Sequence, residues 1–266
     1  MPGRAIVVTS GKGGVGKTTS TANIGTGLAL MGRKVVVVDT DIGLRNLDVI
    51  MGLENRIVYD LVQVIEGVCE LKQAMIRDRK VEGLFLIPAA QTRDKSAVTG
   101  EQMKTLCAQI KEEIAPDYII LDSPAGIEQG FRNALAAADE AIVITTPEVS
   151  AIQDADRVIS LIEANAGMRP RLVINRLRPQ MIEKGNMMGI QDILELLAVS
   201  LLGIVPEDEE IIISSNQGIP IVHNKEKLAG QAYRNIVARI EGQEVPFLTL
   251  NGQKGFWGRF KRLFAV

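Results

Sequence analysis

The chain has 266 residues, 30 Lys and Arg against 32 Asp and Glu, and a formal net charge of −2. At 46% hydrophobic and 23% charged residues the composition is that of an ordinary globular protein, which excludes a disordered or fibrous chain. Two cysteines, Cys69 and Cys107, cannot build a disulfide framework or a four-thiolate metal site, and the single histidine, His223, excludes multi-histidine metal centres.

In chain order, the segments 5–9, 34–39, 84–88, 118–122, 141–146, 171–175 and 202–206 read as buried strands. They are continuous apolar runs rather than alternating ones, which suits a parallel sheet covered on both faces. Periodic segments at 18–31, 100–114, 150–166 and 190–198 read as helices between them. Strand alternating with helix predicts an α/β, doubly wound, mostly parallel sheet with ligands at the carboxyl ends of its strands. Segments 67–83 and 176–189 carry no chemistry of their own and read as surface helices and loops. No apolar run approaches the ~20 residues that span a bilayer. The first strand begins almost at once, leaving no room for a leader peptide, so a soluble protein of a reducing compartment is expected. The expected division is a nucleotide-binding body over 1–241, a connector over 242–254 and a tail over 255–266.

Directly after the first strand comes Gly11-Lys12-Gly13-Gly14-Val15-Gly16-Lys17-Thr18-Thr19, which satisfies G-x-x-x-x-G-K-[ST] between a strand and a helix. Glycines let successive backbone N–H groups curl around phosphate oxygens, and the helix start adds its partial positive charge. Lys17 would reach the β- and γ-phosphates, and the Thr18 hydroxyl would ligate Mg²⁺. The same letters also fit G-x-G-x-x-G through Gly11, Gly13 and Gly16, with Asp39 placed as a ribose ligand. A dinucleotide turn has no need of Lys17-Thr18, so a nucleoside triphosphate is the better reading. The strand at 118–122 supplies four apolar residues and then Asp122, as a Walker B strand does, and Gly126 follows on a loop. Asp39 and Asp41 flank Thr40 after the second strand, placed to serve a Mg²⁺ shell and an attacking water, or merely to cap a loop.

The tail is made of different material. The last thirteen residues of the chain, Lys254 to Val266, carry Lys254, Arg259, Lys261 and Arg262 and no acid, which leaves the rest of the chain near −6. Wound as a helix, Phe256, Trp257, Phe260, Leu263 and Phe264 share one apolar stripe, with those cations beside or opposite it. Such a segment suits the interface of an anionic membrane. A C-terminal helix docked on its own body, or a basic arm for nucleic acid, are the other readings.

Lys12 gives the loop the form K-G-G-x-G-K-[ST], in which the chain resembles the deviant Walker A family of P-loop ATPases. The likeness spans the whole chain and narrows to the septum-site branch through Asp41-Ile-Gly-Leu-Arg-Asn46-Leu-Asp48, Gln91-Thr-Arg-Asp94, Asp122-Ser-Pro-Ala-Gly-Ile-Glu128, Pro147-Glu-Val-Ser150 and Val205-Pro206-Glu207-Asp208. The resemblance implies a Mg²⁺-dependent ATPase that forms an ATP-dependent homodimer, in which Lys12 reaches the partner's phosphates. It implies that Asp41 orients the attacking water, that Asp122 holds Mg²⁺ through water and that Asp39 supports the same shell. Adenine would lie near Asn175, Arg176, Pro206, Glu207 and Asp208, and no N-K-x-D guanine motif occurs. The implied role is placing the cell or plastid division septum, with a MinC-like inhibitor and a MinE-like activator as partners. The implied location is the cytoplasm with cycling to the inner membrane face, or a plastid stroma and envelope. Partner contacts are mapped in the family near the helix at 150–166, where Asp154 and Asp156 are candidates, although both also read as a solvated helix face. A DNA-partition ATPase is the alternative; its basic surface is missing from a body near −6, and no nucleic acid is expected. An iron–sulfur role fails for want of a C-x-x-C, so Cys69 and Cys107 read as core residues.

Overall fold

The computed structural model describes residues 3–94 and 97–248. Its strands are β1 (Arg4–Thr9), β2 (Val35–Asp39), β3 (Ile76–Arg77), β4 (Leu84–Ile87), β5 (Tyr118–Asp122), β6 (Glu140–Thr145), β7 (Arg171–Leu177) and β8 (Ser200–Pro206). They form one sheet in the order β3-β4-β2-β5-β1-β6-β7-β8, parallel throughout except for the antiparallel β3–β4 pair. The chain starts in the middle of the sheet and builds outwards first to one side and then to the other. The crevice for a ligand therefore lies at the carboxyl end of β1.

The helices are α1 (Lys17–Leu30), α2 (Leu47–Ile50), α3 (Leu61–Ile65), α4 (Leu71–Ala74), α5 (Gly100–Glu113) and α6 (Gln129–Ala136). They continue as α7 (Val149–Ala166), α8 (Pro179–Glu183), α9 (Ile190–Leu197), α10 (Glu209–Asn216) and α11 (Leu228–Ile240). Alternate residues of one strand feed opposite layers. Val36 and Val38 of β2 join Leu106, Phe131 and Ile159 on one face, while Val35 and Val37 join Ile24, Leu28 and Tyr233 on the other. Both faces are dry, which is why the strands are apolar runs.

All seven expected strands and all four expected helices form, with ends displaced by a residue or two. The segment 67–83, expected to be helix and loop, also contributes β3, a two-residue edge strand with Ile76 buried and Arg77 exposed. A pair that short leaves no periodic trace, and its brevity keeps the sheet edge blunt. β7 runs on to Leu177, past the expected end at 175. Among the described residues, no helix is long and apolar enough to cross a membrane. Lys254 and the tail residues Phe256, Trp257, Arg259, Phe260, Lys261, Arg262, Leu263 and Phe264 lie outside the described residues.

Candidate nucleotide site

The loop between β1 and α1 ends in Gly16, whose φ of 92° no residue with a side chain adopts without strain. A Cβ there would also fall 2.2 Å from the Asn175 side-chain nitrogen. That nitrogen donates to the Val15 carbonyl at 2.8 Å, so the end of β7 buttresses the loop. α1 begins without a side-chain cap and without an acid in its first turn. Its first N–H groups are thus left for an anion, which is the arrangement that receives phosphate. Across the crevice, Gly126 N–H donates to the Ser10 carbonyl at 2.9 Å, tying the loop after β5 to the loop after β1.

Beneath the loop, Lys17 Nζ lies 3.0 Å from Asp122 Oδ1, with the two side chains 8% and 1% exposed. The Lys17 ammonium also donates to Thr18 Oγ1 at 3.1 Å, and Thr21 Oγ1 donates to Asp122 Oδ1 at 2.7 Å. Asp122 Oδ2 is buried and accepts no hydrogen bond. Asp39 faces Asp122 in register across β2 and β5. Its two oxygens accept N–H groups of Asp41 at 3.0 Å and Leu47 at 3.3 Å. Burial foremost, then the repulsion of Asp122, pushes the Asp39 carboxyl up to about 7.

These residues fit Mg²⁺. A buried carboxylate oxygen on Asp122 without a hydrogen-bond donor is a ready cation or water acceptor, and the Thr18 hydroxyl and the other Asp122 oxygen both accept from the Lys17 ammonium. Among the described residues no three His, Cys, Asp or Glu gather as an all-protein metal cage. Mg²⁺ needs none, because it is usually held by phosphates, waters and one or two protein ligands.

The remaining candidates divide. Lys12 Nζ reaches outward to Ser150 Oγ at 3.0 Å, on the first turn of α7, rather than into its own loop. α7 lies hard against that loop, since a Cβ on Gly11 would come within 2.3 Å of the Asp154 backbone. Asp154 is therefore half-buried at the loop, whereas Asp156 is exposed. Asp41 borders a small pocket of about 20 Å³ that it shares with Thr40, Asn133 and the apolar side chains Ile42, Leu61, Val98 and Met103. Asp48, buried, pairs with Arg45 at 2.9 Å and serves the loop rather than the crevice.

On the base side, the β7–β8 register breaks between Ile174 and Leu177, and Arg176 takes a φ of 55°. This bulge turns Asn175 under the loop while Arg176 is exposed. Asn175 Oδ1 is buried without a donor. Glu207 pairs with Arg178, and Asp208 caps α10 through Glu210 N–H at 3.0 Å, so neither carboxylate points freely at a base. The sequence reading did not single out Thr21, one turn beyond Lys17 on α1, whose i+4 spacing was the available signal. Thr40, named there only as the residue between Asp39 and Asp41, donates its hydroxyl to the Asp122 carbonyl at 2.7 Å, a tertiary contact with no sequence signal. Cys107 is buried and its thiol is pushed up to about 12 by burial, as a core cysteine; Cys69 is half-buried.

The CobQ/CobB/MinD/ParA nucleotide binding domain matches residues 6–221. The septum site-determining protein MinD of Bacillus subtilis is 54% identical over 267 residues, covering 99% of each chain. Among solved structures, the MinC:MinD cell division protein complex of Aquifex aeolicus matches with a TM-score of 0.86 and 43% identity, over 92% of this chain and 98% of that one. MinD of Pyrococcus horikoshii, complexed with Mg-ADP, matches with a TM-score of 0.80 and 28% identity, over 90% of this chain and 96% of that one. With a phosphate loop, an acid-tipped fifth strand and likeness along its whole length, the chain belongs to the septum site-determining MinD family of P-loop ATPases.

Proposed function

We propose that the chain hydrolyses ATP to ADP and phosphate, dimerises on ATP, and cycles between the cytoplasm and the inner face of the membrane to place the division septum. The observation that carries the catalytic half is the buried Lys17–Asp122 contact under an uncapped helix start. With phosphate bound, Lys17 turns from Asp122 to the β- and γ-oxygens, while backbone N–H groups of residues 13–18 cradle them. Asp122 is thereby released to the cation shell with Asp39 and Thr18. Mg²⁺, when bound, neutralises charge on the phosphate oxygens. Asp41, on the loop after β2 with its N–H bonded to the Asp39 carboxylate, orients the attacking water. Lys12 is already directed away from its own loop, where it is free to leave Ser150 for the phosphates of a second copy.

Support for ATP over GTP comes from the missing guanine motif, and support for Mg²⁺ from the Mg-ADP bound to the Pyrococcus relative. A MinC-like inhibitor is supported by the Aquifex complex, and a MinE-like activator follows from the family. The membrane half rests on the tail, whose aromatic stripe and cations suit anionic lipids. One such helix anchors marginally, whereas two on one dimer gain by roughly 10²–10⁴-fold. Steady-state turnover tests the catalytic half. Asp41→Ala should bind ATP as the parent does but turn over at least about a hundredfold more slowly. Unchanged turnover would remove Asp41 from the mechanism.

A further inference from the structure

The chain beyond α11 does not leave the body where its composition changes. Gly242, at a φ of 79°, closes the helix, its N–H donating to the Arg239 carbonyl at 3.1 Å while Gln243 N–H donates to the Ala238 carbonyl at 2.9 Å. Arg239 then gathers the following residues. Its Nε and Nη2 donate to the Val245 carbonyl at 3.2 and 2.9 Å, and Nη1 donates to the Leu202 carbonyl on β8 at 3.0 Å. Its guanidinium lies 3.9 Å from the centroid of the Phe247 ring. Phe247 and Leu248 pack against the core. On the other side of the helix end, Glu241 accepts from Tyr118 Oη at 2.6 Å and pairs with Arg33.

Arg239 is an unusual choice for mere packing. Among the described residues it has no carboxylate partner, and burial alone pushes its guanidinium down to about 10. A half-buried cation without a counter-ion is costly, and here three carbonyl bonds and an aromatic face offset the cost. An apolar side chain would fill the space without that cost but could not hold the Val245 and Leu202 carbonyls together.

We propose that Arg239 and Phe247 are positioning residues that root the chain on β8, so that the connector to the basic aromatic tail runs only from 249 to 254. This rests on the membrane reading above and deepens it. In a dimer, the gain from a second tail depends on how closely each tail is held to the body. Releasing 243–248 doubles the connector, and a −3/2 power dependence on length then costs about threefold in effective concentration. The loss falls on bivalent binding and spares single-tail binding, which no general loss of stability would do.

The test is co-sedimentation of the full chain with phosphatidylglycerol-containing vesicles, with ATP and without nucleotide, alongside ATP turnover. Phe247→Ala and Arg239→Met should each weaken ATP-dependent binding about threefold while leaving nucleotide-free binding and lipid-free turnover as in the parent. A six-residue Gly-Ser insertion after Leu248 in the parent should reproduce the loss. Variants that bind like the parent, while the insertion still weakens binding, would overturn the rooting. Equal losses with and without ATP would overturn it as well, since the single-tail contact would then be what changed. A parent whose binding ignores ATP would overturn the membrane switch, and the rooting with it.

Discussion

Lys17 and Asp122 form a buried ion pair at the base of the phosphate loop. Each is the other's counter-ion in a place almost closed to water. Removing one partner of a buried pair leaves an uncompensated charge, so Lys17→Ala should lose nucleotide binding and also about 3–5 kcal/mol of stability in denaturant unfolding. Adding Asp122→Asn to that variant should recover part of the stability but none of the binding. If Lys17→Ala unfolds at the parent's midpoint, the pair carries no folding energy. Asp39 gives a second, opposite signature. Its folded carboxyl titrates at about 7, above the ordinary carboxylate range, so the folded chain keeps a proton that the unfolded chain has released. Stability is therefore complete below the unfolded value near 4 and declines as pH rises through 7. Relative to Asp39→Asn, the nucleotide-free parent should lose melting temperature between pH 5 and pH 8. Parallel curves would show that Asp39 is ionised in the folded state throughout.

The phosphate loop works as part of a three-element joint. α1 presents its open N-terminus, β7 sends Asn175 under the loop through its bulge, and α7 lies against Gly11. Gly11 has no room for a methyl group, because the obstacle is the Asp154 backbone rather than a movable side chain. Gly11→Ala should cost about 1–3 kcal/mol by forcing α7 away from the loop, and should weaken ATP binding as it does so. Calorimetric binding equal to the parent's would show that the joint yields without consequence. At this scale the sequence was legible where burial is uniform. Val35-Val36-Val37-Val38, short and wholly β-branched, suits a strand with two dry faces, and Gly16-Lys17-Thr18 after a strand suits the opening of a helix. It was illegible where tertiary contacts decide. β3 exists because β4 offers it an edge, and Asn175 meets Val15 only because β7 bulges at Arg176. The docking of 243–248 was hidden for the same reason, since nothing local to Arg239 shows that β8 brings the Leu202 carbonyl to it.

The whole molecule separates its chemistry by charge and by position. The body, near −6, holds the phosphate site, and the cations that would meet a membrane are gathered in a few residues at the chain's end. In the proposed cycle, nucleotide state and membrane residence are joined through the number of tails per assembly. Lys12→Ala should bind ATP and fail to dimerise in sedimentation velocity, because the partner proposed for Lys12 is the phosphate of a second copy. Dimerisation at the parent's ATP concentration would contradict that role. Phe260→Glu should leave turnover intact and abolish vesicle binding, because a charge in the apolar stripe opposes insertion; normal vesicle binding would remove the tail from the account. The central claim is that ATP governs membrane residence. It is tested most directly by co-sedimentation of the parent chain with anionic vesicles in ATP, in ADP and without nucleotide. The account predicts pelleting in ATP alone, and equal pelleting in all three conditions would contradict it.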